Sequence, residues 1–436
     1  AGIDGLKVAS RTSAFSFKDT NTPIPEIAEL LGVRHVLEGS VRKQGNRVRI
    51  TAQLIEAGDD AHLWSESYDR NLDDIFKVQE EIAQAITLAL GDVLGTRRVT
   101  VPAATADLEA YERFLSGRAR FHQRTELDEA IADLEYATEH DPGFAEAWIY
   151  LAAANHVAPG YRSERDLSFE DFREAARVAL TRAEALAPDD PLVLALGAER
   201  ESVSGTRAAG LALFERASRM RSHDSTPTLW YGLELFHAGY ISEAITVLER
   251  AHRMDPRVGI NSGYLGLSYL AAGRDAEAEE QVRLAFANDW PIAMRSYLIE
   301  LAARGDRDRA LEVWYSVTDD ENRESPQWIA FGDAIGDPGQ AGVLLEMIGD
   351  SEFPREVLLA VGREEQFLAA AEAFTRRPEG QQAWWLRAIW QPSSSSVRED
   401  PRFFRIAREL GMVELWDTRG YPPGCTRVAA TEGDRL

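Results

Sequence analysis

Small residues recur at a fixed spacing through the middle of the chain, and this recurrence restricts the fold more than any other feature. They stand at Ala130, Ala176, Gly210, Ala244, Ala278 and Ala310, and each is followed seven residues later by Ala or, in the last pair, by Val. The intervals between them are 46, 34, 34, 34 and 32 residues. A small side chain where two helices cross lets their axes approach to about 8–10 Å. The spacing therefore predicts successive helical hairpins.

A period of 34 residues in paired helices is typical of tetratricopeptide repeats (TPR). One such pair cannot bury its apolar stripe alone, so neighbouring pairs must stack. We therefore predict a mainly α fold, a TPR-type α-solenoid of about six to eight helical hairpins, with the repeat array in residues 104–325. Degenerate helical repeats follow in 326–390. Residues 391–436 are predicted to hold a polar linker, "WQPSSSSVRED", and a closing helix with an aromatic tail.

The start of the chain has a different pattern. Residues 36–55, "VLEGSVRKQGNRVRITAQLI", alternate strictly between apolar and polar side chains around a turn, which predicts a β-hairpin. Further strands are predicted at 6–10 and 61–69, a short helix at 25–32, and a long helix capped by Asn71 and running to about Leu94. The order β-α-β-β-β-α predicts a small α+β domain in residues 1–98.

Residues 5–87 resemble the TolB-N-terminal-like (FlgO-like) domain of bacterial proteins. The matching stretches are "GLKVASRTSAFSFK" and "IAELLGVRHVLEGSVRKQGNRVRITAQLIEAGDDAHLWSESYDRNLDDIFKVQEEIAQAI". The C-terminal "DPRFFRIARELGMVELWDTRGYPPGC" is similar to the end of the cyclase-associated repeat family. The resemblance implies a domain between a membrane-anchored effector and a helical-repeat array. That effector is either a class III nucleotidyl cyclase or a CadC-like winged-helix domain.

One departure from that family concerns the edge of the sheet. Its members usually carry a further strand, a Gly/Asp-rich turn and a helix before the point where this sequence begins. The domain is therefore predicted to be truncated at its N-terminus. An unpaired sheet edge could then be filled by a missing segment or by a second chain.

Charge is unevenly distributed and restricts the partners. Residues 1–103 hold 12 Lys and Arg against 15 Asp and Glu, so −21 of the net charge of −24 lies in residues 104–436. An acidic array repels phosphate backbones, and we predict no direct binding of nucleic acid. No apolar run is long enough to span a bilayer. The single cysteine, Cys425, cannot form an internal disulfide.

The sequence carries no recognisable catalytic motif. It lacks the GxxxxGK[ST], GxGxxG, HExxH, GxSxG and CxxC patterns, and its eight histidines have no metal-ligand spacing. In a chain of this charge, a carboxylate pair such as Glu279-Glu280 is expected to lie on a solvent-exposed face rather than in a catalytic site. We therefore predict no catalytic residues, no metal and no cofactor.

The repeat register places a mostly apolar wall on the concave side of the first helices. Carboxylate-clamp side chains (Lys, Asn, Arg) are missing from these positions, so capture of a terminal carboxylate is disfavoured. Two alternatives remain open: the wall binds an apolar segment of a protein or peptide partner, or it packs on its own chain, for example on the C-terminal helices. The predicted wall consists of Glu199, Leu233, Phe236, His237, Leu267, Leu270 and Ile299.

These patterns predict a non-enzymatic sensory or scaffold region of a bacterial signalling protein. A ligand in the groove would change the curvature of the solenoid, and the 71–94 helix would pass that change to an upstream effector. One alternative is the regulatory part of an adenylate or guanylate cyclase whose catalytic domain lies outside this sequence. Another is a free-standing TPR assembly adaptor that self-associates through its N-terminal sheet edge. The location stays open: it is periplasmic if the parent protein is membrane-anchored, as relatives with this domain order are, and cytoplasmic if it is not.

Overall fold

The computed structural model describes residues 22–45, 47–71, 75–89, 105–161, 167–204, 206–317, 326–348, 356–375 and 387–425, with a few single residues besides. The chain divides into two compact units, residues 1–154 and 155–436. In the described ranges, no helix is both long and apolar enough to cross a membrane.

The first unit begins with a helix and a three-stranded antiparallel sheet in the order β1-β2-β3. Gly32 ends the helix in the left-handed conformation, with φ of 62°. The predicted hairpin forms, and its alternation is confirmed in β2, where Val48, Ala52 and Leu54 are buried on one face, whereas Leu37 and Val41 of β1 are exposed. A further helix, α2, packs on β3. The elements are α1 Ile24–Leu31, β1 His35–Gln44, β2 Arg47–Glu56, β3 Ala61–Asn71 and α2 Ile75–Ala89.

Some predicted elements of this region cannot be compared with the structure. The strand at 6–10, the start of the long helix at 72–74 and its end at 90–94 lie outside the described residues. Asn71, predicted as the cap of that helix, is the last residue of β3. The boundary predicted at 98–104 also lies outside the described residues and stays a prediction.

The rest of the first unit is helical and contains α3 (Leu108–Gln123), α4 (Leu127–His140) and most of α5 (Ala145–Val157). Gly117 lies where α3 crosses α4, and a Cβ atom there would approach the carbonyl oxygen of Ala130 to 2.8 Å. Phe114 and Phe144 are fully buried nearby, with their ring centroids 4.7 Å apart. A small residue at the crossing and aromatic residues around it are the arrangement that the repeat predicts.

The second unit is a succession of helices that pack on their sequence neighbours. Because α7, α9, α11 and α13 also contact one another in turn, and α13 contacts α17, they line up as one layer, which we call the inner wall. The helices are α6 Phe169–Leu186, α7 Pro191–Ser204, α8 Arg207–Arg219, α9 Thr226–His237, α10 Ile241–Met254, α11 Gly259–Ala271, α12 Asp275–Ala287, α13 Ile292–Ala303, α14 Arg307–Val317, α15 Pro326–Gly336, α16 Ala341–Ile348, α17 Val357–Ala360, α18 Glu364–Thr375, α19 Ser395–Glu399, α20 Pro401–Glu409 and α21 Met412–Arg419.

Small residues of the repeat lie at the helix crossings, which confirms the α-solenoid, although Ala176 is only half-buried. Ala244, Ala251, Ala278 and Ala285 are completely buried. Gly266 of α11 lies against α12, where an added Cβ atom would be 2.8 Å from the Val282 side chain. Close approach of paired helices thus explains why these positions are small.

The predicted polar linker "WQPSSSSVRED" is not a linker. Residues 392–394 form a 3-10 turn and residues 395–399 form α19. Ser394 and Val397 are buried, and the Ser394 hydroxyl donates to the carbonyl oxygen of Ala388 at 2.8 Å. The run of serines has a linker composition, but the hydroxyls of Ser393, Ser394 and Ser396 all make hydrogen bonds within the protein and Val397 is buried. This segment is therefore part of the packed second unit.

Candidate functional site

The inner wall is the place where the structure brings the predicted site residues together. Glu199 lies on α7 and Ile299 lies on α13, at the two ends of the set. The helices between them contact each other in sequence, so the seven residues lie on adjacent helices of one layer. The others are Leu233, Phe236 and His237 on α9 and Leu267 and Leu270 on α11.

Most of this wall is buried. Phe236, Leu267 and Leu270 have no exposed surface, and His237 and Ile299 are only 5% and 6% exposed. Glu199 and Leu233 are half-buried. The burial matches the alternative in which the wall packs on its own chain. A role as a partner-binding wall stays a prediction, restricted to a state in which the covering residues have moved.

The covering residues lie near the end of the chain, and we call residues 387–421 the C-terminal segment. Two tryptophans anchor it to the end of α9. Trp390 Nε1 donates to the carbonyl oxygen of His237 at 2.8 Å, and Trp416 Nε1 donates to that of Ala238 at 2.9 Å. The last carbonyl groups of a helix have no partner inside the helix. The two indoles therefore satisfy acceptors that the wall would otherwise leave open.

A glycine makes room for the first of these indoles. Gly239 follows α9 with a φ of 87°, a region that favours glycine. A Cβ atom at this position would lie 2.5 Å from the Trp390 ring. The backbone turn after α9 and the indole of Trp390 thus fit against each other without space for a side chain.

The segment also reaches α11 and α13. Gln391 Nε2 donates to the carbonyl oxygen of Leu267 at 3.4 Å. The backbone N–H of Ser393 donates to Glu300 Oε1 at 3.0 Å, and the Ser393 hydroxyl donates to Oε2 of the same carboxylate. Glu300 is 3% exposed and also accepts from Arg304 Nε at 2.6 Å. A buried carboxylate of the wall is therefore satisfied partly by the segment.

At the other end of the segment, a buried ion pair bridges α8, α9 and α20–α21. Arg207 Nη1 lies 2.7 Å from Glu234 Oε2, and Arg207 Nε donates to the carbonyl oxygen of Leu410 at 2.8 Å. Burial raises the pKa of Glu234, and the nearby Arg207 opposes that rise. The guanidinium therefore holds a buried carboxylate and the backbone of the segment at the same time.

Two further contacts of the segment involve charged side chains. Arg387 Nη2 lies 2.9 Å from Glu356 Oε1, just before α17. Arg419 Nη2 lies 2.7 Å from Glu243 Oε2 on α10. The first pair is largely buried and the second is about half exposed.

His237 is a further buried titratable group of the wall, and its carbonyl oxygen contacts this segment. Burial, together with the positive charges of Arg207 and Arg387, lowers its pKa to about 3. Its ring lies edge-on to Tyr264, with centroids 6.0 Å apart. Among the described residues, Nε2 of His237 has no hydrogen-bond partner. The imidazole is therefore neutral at pH 7. Burying its Nε2 without a hydrogen bond is unfavourable.

A part of this chain has a curated relative. No family model matches the chain. Over 154 residues, 34% of the chain, it is 40% identical to putative adenylate cyclase 3 of Rhizobium meliloti (strain 1021). The match spans about a quarter of that relative, 26% of its length.

Solved structures of a human protein give distant matches. A human IFIT1 dimer with PPP-AAAA is similar over 79% of this chain and 77% of its own, with 16% identity and a TM-score of 0.39. The monomeric IFIT1 mutant with Gppp-AAAA matches over 79% and 76%, with 15% identity and the same TM-score.

Sequence reasoning predicted the wall residues, which stay a prediction as a binding site, and missed the residues that anchor the C-terminal segment to them. Trp390 and Gln391 belong to the stretch that reads as a polar linker, and Trp416 to the aromatic tail. The available signal was the tryptophan itself, since a large apolar ring is rare in a true linker. Arg207 and Glu234 looked like ordinary surface charges of repeat helices. In the described part of the chain, no group of His, Cys, Asp or Glu could hold a metal ion.

Proposed function

We propose that this chain is a non-catalytic interaction region of a bacterial signalling protein, and that its inner wall is a peptide-binding surface. The observation that carries the proposal is the C-terminal segment itself. The wall already holds a largely helical piece of its own polypeptide through helix-end carbonyl groups and a buried carboxylate. A surface that recognises backbone and indole groups in this way suits another segment of similar chemistry.

The use of the charged groups supports a binding role over a catalytic one. Glu234 is engaged by Arg207, Glu356 by Arg387, and Glu300 by Arg304 and Ser393. A general acid or base must be able to reach a substrate proton. These carboxylates are held in structural pairs instead, so the wall offers contact area and hydrogen bonds rather than reactive groups.

The identity to a protein named putative adenylate cyclase 3 supports a link to an effector. We infer that the parent protein joins this region to a nucleotidyl cyclase or a comparable output domain, as the TolB-N-like resemblance of residues 5–87 implies. Binding at the wall would then be relayed to that domain. This proposal treats the helical region as the regulatory part.

Site-specific photo-cross-linking in the bacterial host tests the proposal. p-Benzoylphenylalanine is placed at Leu233, which is half-buried on the wall, and at Val178 of α6, which is 47% exposed, as the matched control. We expect a partner to cross-link from position 233 and not from 178. Leu233→Glu should abolish that product and change the cyclic-nucleotide output of the parent protein.

Two results would contradict the proposal. One is equal cross-linking from both positions together with an unchanged output in the Leu233→Glu strain. The other is formation of cyclic AMP from ATP and Mn²⁺ by the purified chain alone, because catalysis would then reside in these residues.

A further inference from the structure

The interface between the inner wall and the C-terminal segment combines buried apolar anchors, such as Trp390 and Trp416, with several buried polar groups. Arg207, Glu234, Glu300, Glu356 and Gln391 are each at most 8% exposed and lie at this interface. Interfaces that must never open are dominated by apolar contacts, whereas those that exchange partners contain more polar groups. Burying charges is favourable only when every group is well paired. The buried polar groups are therefore a feature that this interface shares with docking contacts.

Two orphan atoms at the same interface lead to the same conclusion. Within the described ranges, Nε2 of His237 and Oε1 of Gln391 are buried without a hydrogen-bond partner. One belongs to the wall and the other to the segment. A buried polar atom that loses water and gains no partner costs free energy in the docked state only. Release of the segment would return both atoms to water.

The hydrogen-bond acceptors of the wall do not depend on the C-terminal segment that binds to them. The segment contributes indole N–H groups, a backbone N–H and a serine hydroxyl, while the wall contributes the carbonyl oxygens of His237 and Ala238 and the carboxylate of Glu300. These carbonyls exist whenever α9 is folded, whether or not the segment is present. A partner with two suitably spaced indoles could make the same contacts.

We propose that the C-terminal segment is a displaceable intramolecular ligand of the inner wall, and that the partner which replaces it is a tryptophan-bearing helical segment. This inference rests on the function proposed above and specifies how the wall is regulated. In the docked state the wall is closed. A competing segment that presents two indole N–H donors opens it.

A synthetic peptide of residues 387–421, labelled with fluorescein, serves as the probe for the full chain. Its binding is measured to the wild type, to a Trp390→Ala/Trp416→Ala variant whose own segment has lost its anchors, and to an Arg405→Ala control. Arg405 belongs to the segment but pairs with Glu372 of α18, at a distance of 2.9 Å. We expect the peptide to bind the double variant at least about tenfold more tightly than it binds the wild type or the control.

A second peptide tests the role of the indole nitrogen. With phenylalanine at both tryptophan positions, the peptide keeps its aromatic rings and loses both N–H donors. We expect this peptide to bind the double variant at least about tenfold more weakly. Equal affinity of the two peptides would overturn the assignment of the indoles as the recognised groups.

If the double variant fails to fold, hydrogen exchange of the wild type tests whether the C-terminal segment can leave the inner wall. We expect the amides of α20 and α21 to exchange through an opening that leaves α9–α12 protected. Exchange of segment and wall in a single global step would make the segment a fixed part of the fold and overturn the inference. A concentration-dependent dimer in light scattering would show that a second copy supplies the segment, which contradicts an intramolecular ligand.

Failure of this inference and failure of the proposed function give different results. If the segment never leaves, partner cross-linking from Leu233 can still occur at the half-buried part of the wall. If no partner cross-links at Leu233 while the peptide still exchanges, the wall is regulated but binds only its own chain.

Discussion

The indole ring of Trp390 lies in the space that a side chain at position 239 would need. A Cβ atom on Gly239 would approach the ring to 2.5 Å, and the φ of 87° at Gly239 already disfavours other residues. Gly273 occupies the corresponding turn one repeat later, with a φ of 72° and nothing within 4 Å. The two glycines therefore differ in one respect, the ring of the C-terminal segment.

This difference predicts unequal costs of the same substitution. Gly273→Ala should lower the free energy of unfolding by about 1–2 kcal/mol, the cost of left-handed backbone for an L-residue. Gly239→Ala should cost about 1–3 kcal/mol more, because the added methyl group also displaces Trp390. Urea unfolding of both variants gives the comparison. Equal losses would mean that Trp390 does not press on Gly239 in solution.

The Arg207–Glu234 pair predicts a second, larger effect. Arg207→Met removes the guanidinium from a carboxylate that is 8% exposed and also frees the Leu410 carbonyl oxygen. An unpaired buried charge costs about 3–5 kcal/mol. We expect a loss of that size in urea unfolding, and a smaller loss in Arg207→Met/Glu234→Leu, where no charge is left behind.

The matched control for this pair lies on the surface of α6. Arg177 and Glu174 form an ion pair at 2.6 Å with both side chains more than half exposed. Water screens such a pair, so Arg177→Met should leave the unfolding midpoint nearly unchanged. If Arg207→Met were as mild as this control, the buried pair would not hold the segment to α8 and α9.

The elements that could be predicted from the sequence are those whose cause is local. The β1–β2 hairpin follows from alternation within twenty residues, and the crossings at Ala244 and Ala278 follow from a period that each repeat restates. The contacts of Trp390 with His237 and of Trp416 with Ala238 join residues 153 and 178 positions apart. Each of these contacts occurs only once, so the sequence repeat does not predict it.

The burial of the wall could not be predicted for the same reason, because it depends on contacts between residues far apart in the sequence. Leu267 and Ile299 could be placed on one surface from the repeat register, but what covers that surface depends on where residues 387–421 dock. Charged residues hid the rest of the interface, because Arg207 and Glu234 fit the polar face of a helical pattern equally well. Their pairing across α8 and α9 depends on tertiary packing alone.

Two helical glycines test the explanation given for the repeat. A methyl group on Gly266 would lie 2.8 Å from the Val282 side chain and 3.2 Å from the carbonyl oxygen of Ala278. On Gly197 of α7 it would meet nothing within 4 Å. Gly266→Ala should therefore destabilise the chain by about 1–3 kcal/mol through overpacking.

The same change at Gly197 should have the opposite sign. Alanine restricts the unfolded chain and favours helix, so Gly197→Ala should stabilise the fold by about 0.5–1 kcal/mol. Thermal unfolding of both variants measures the pair. Stabilisation by both substitutions would show that α11 and α12 are not closely packed at Gly266.

His237 predicts how stability depends on pH. Its pKa falls from 6.5 to about 3 on folding, because burial and the charges of Arg207 and Arg387 disfavour the imidazolium. The unfolded chain thus binds a proton between these two pH values while the folded chain does not. The contribution of His237 to stability is complete above pH 6.5 and is lost progressively as the pH falls toward 3.

Comparison with His237→Gln isolates this contribution. At pH 5, about 1.5 pH units below the unfolded pKa, the wild type should have lost about 2 kcal/mol more than the variant, relative to pH 7. Glu234 has a raised pKa, and its contribution changes in the opposite direction, but it is common to both proteins. Urea unfolding at pH 5 and pH 7 provides the four values. If both proteins lose the same stability between these pH values, His237 must be reached by protons in the folded state, and the C-terminal segment would not seal the wall.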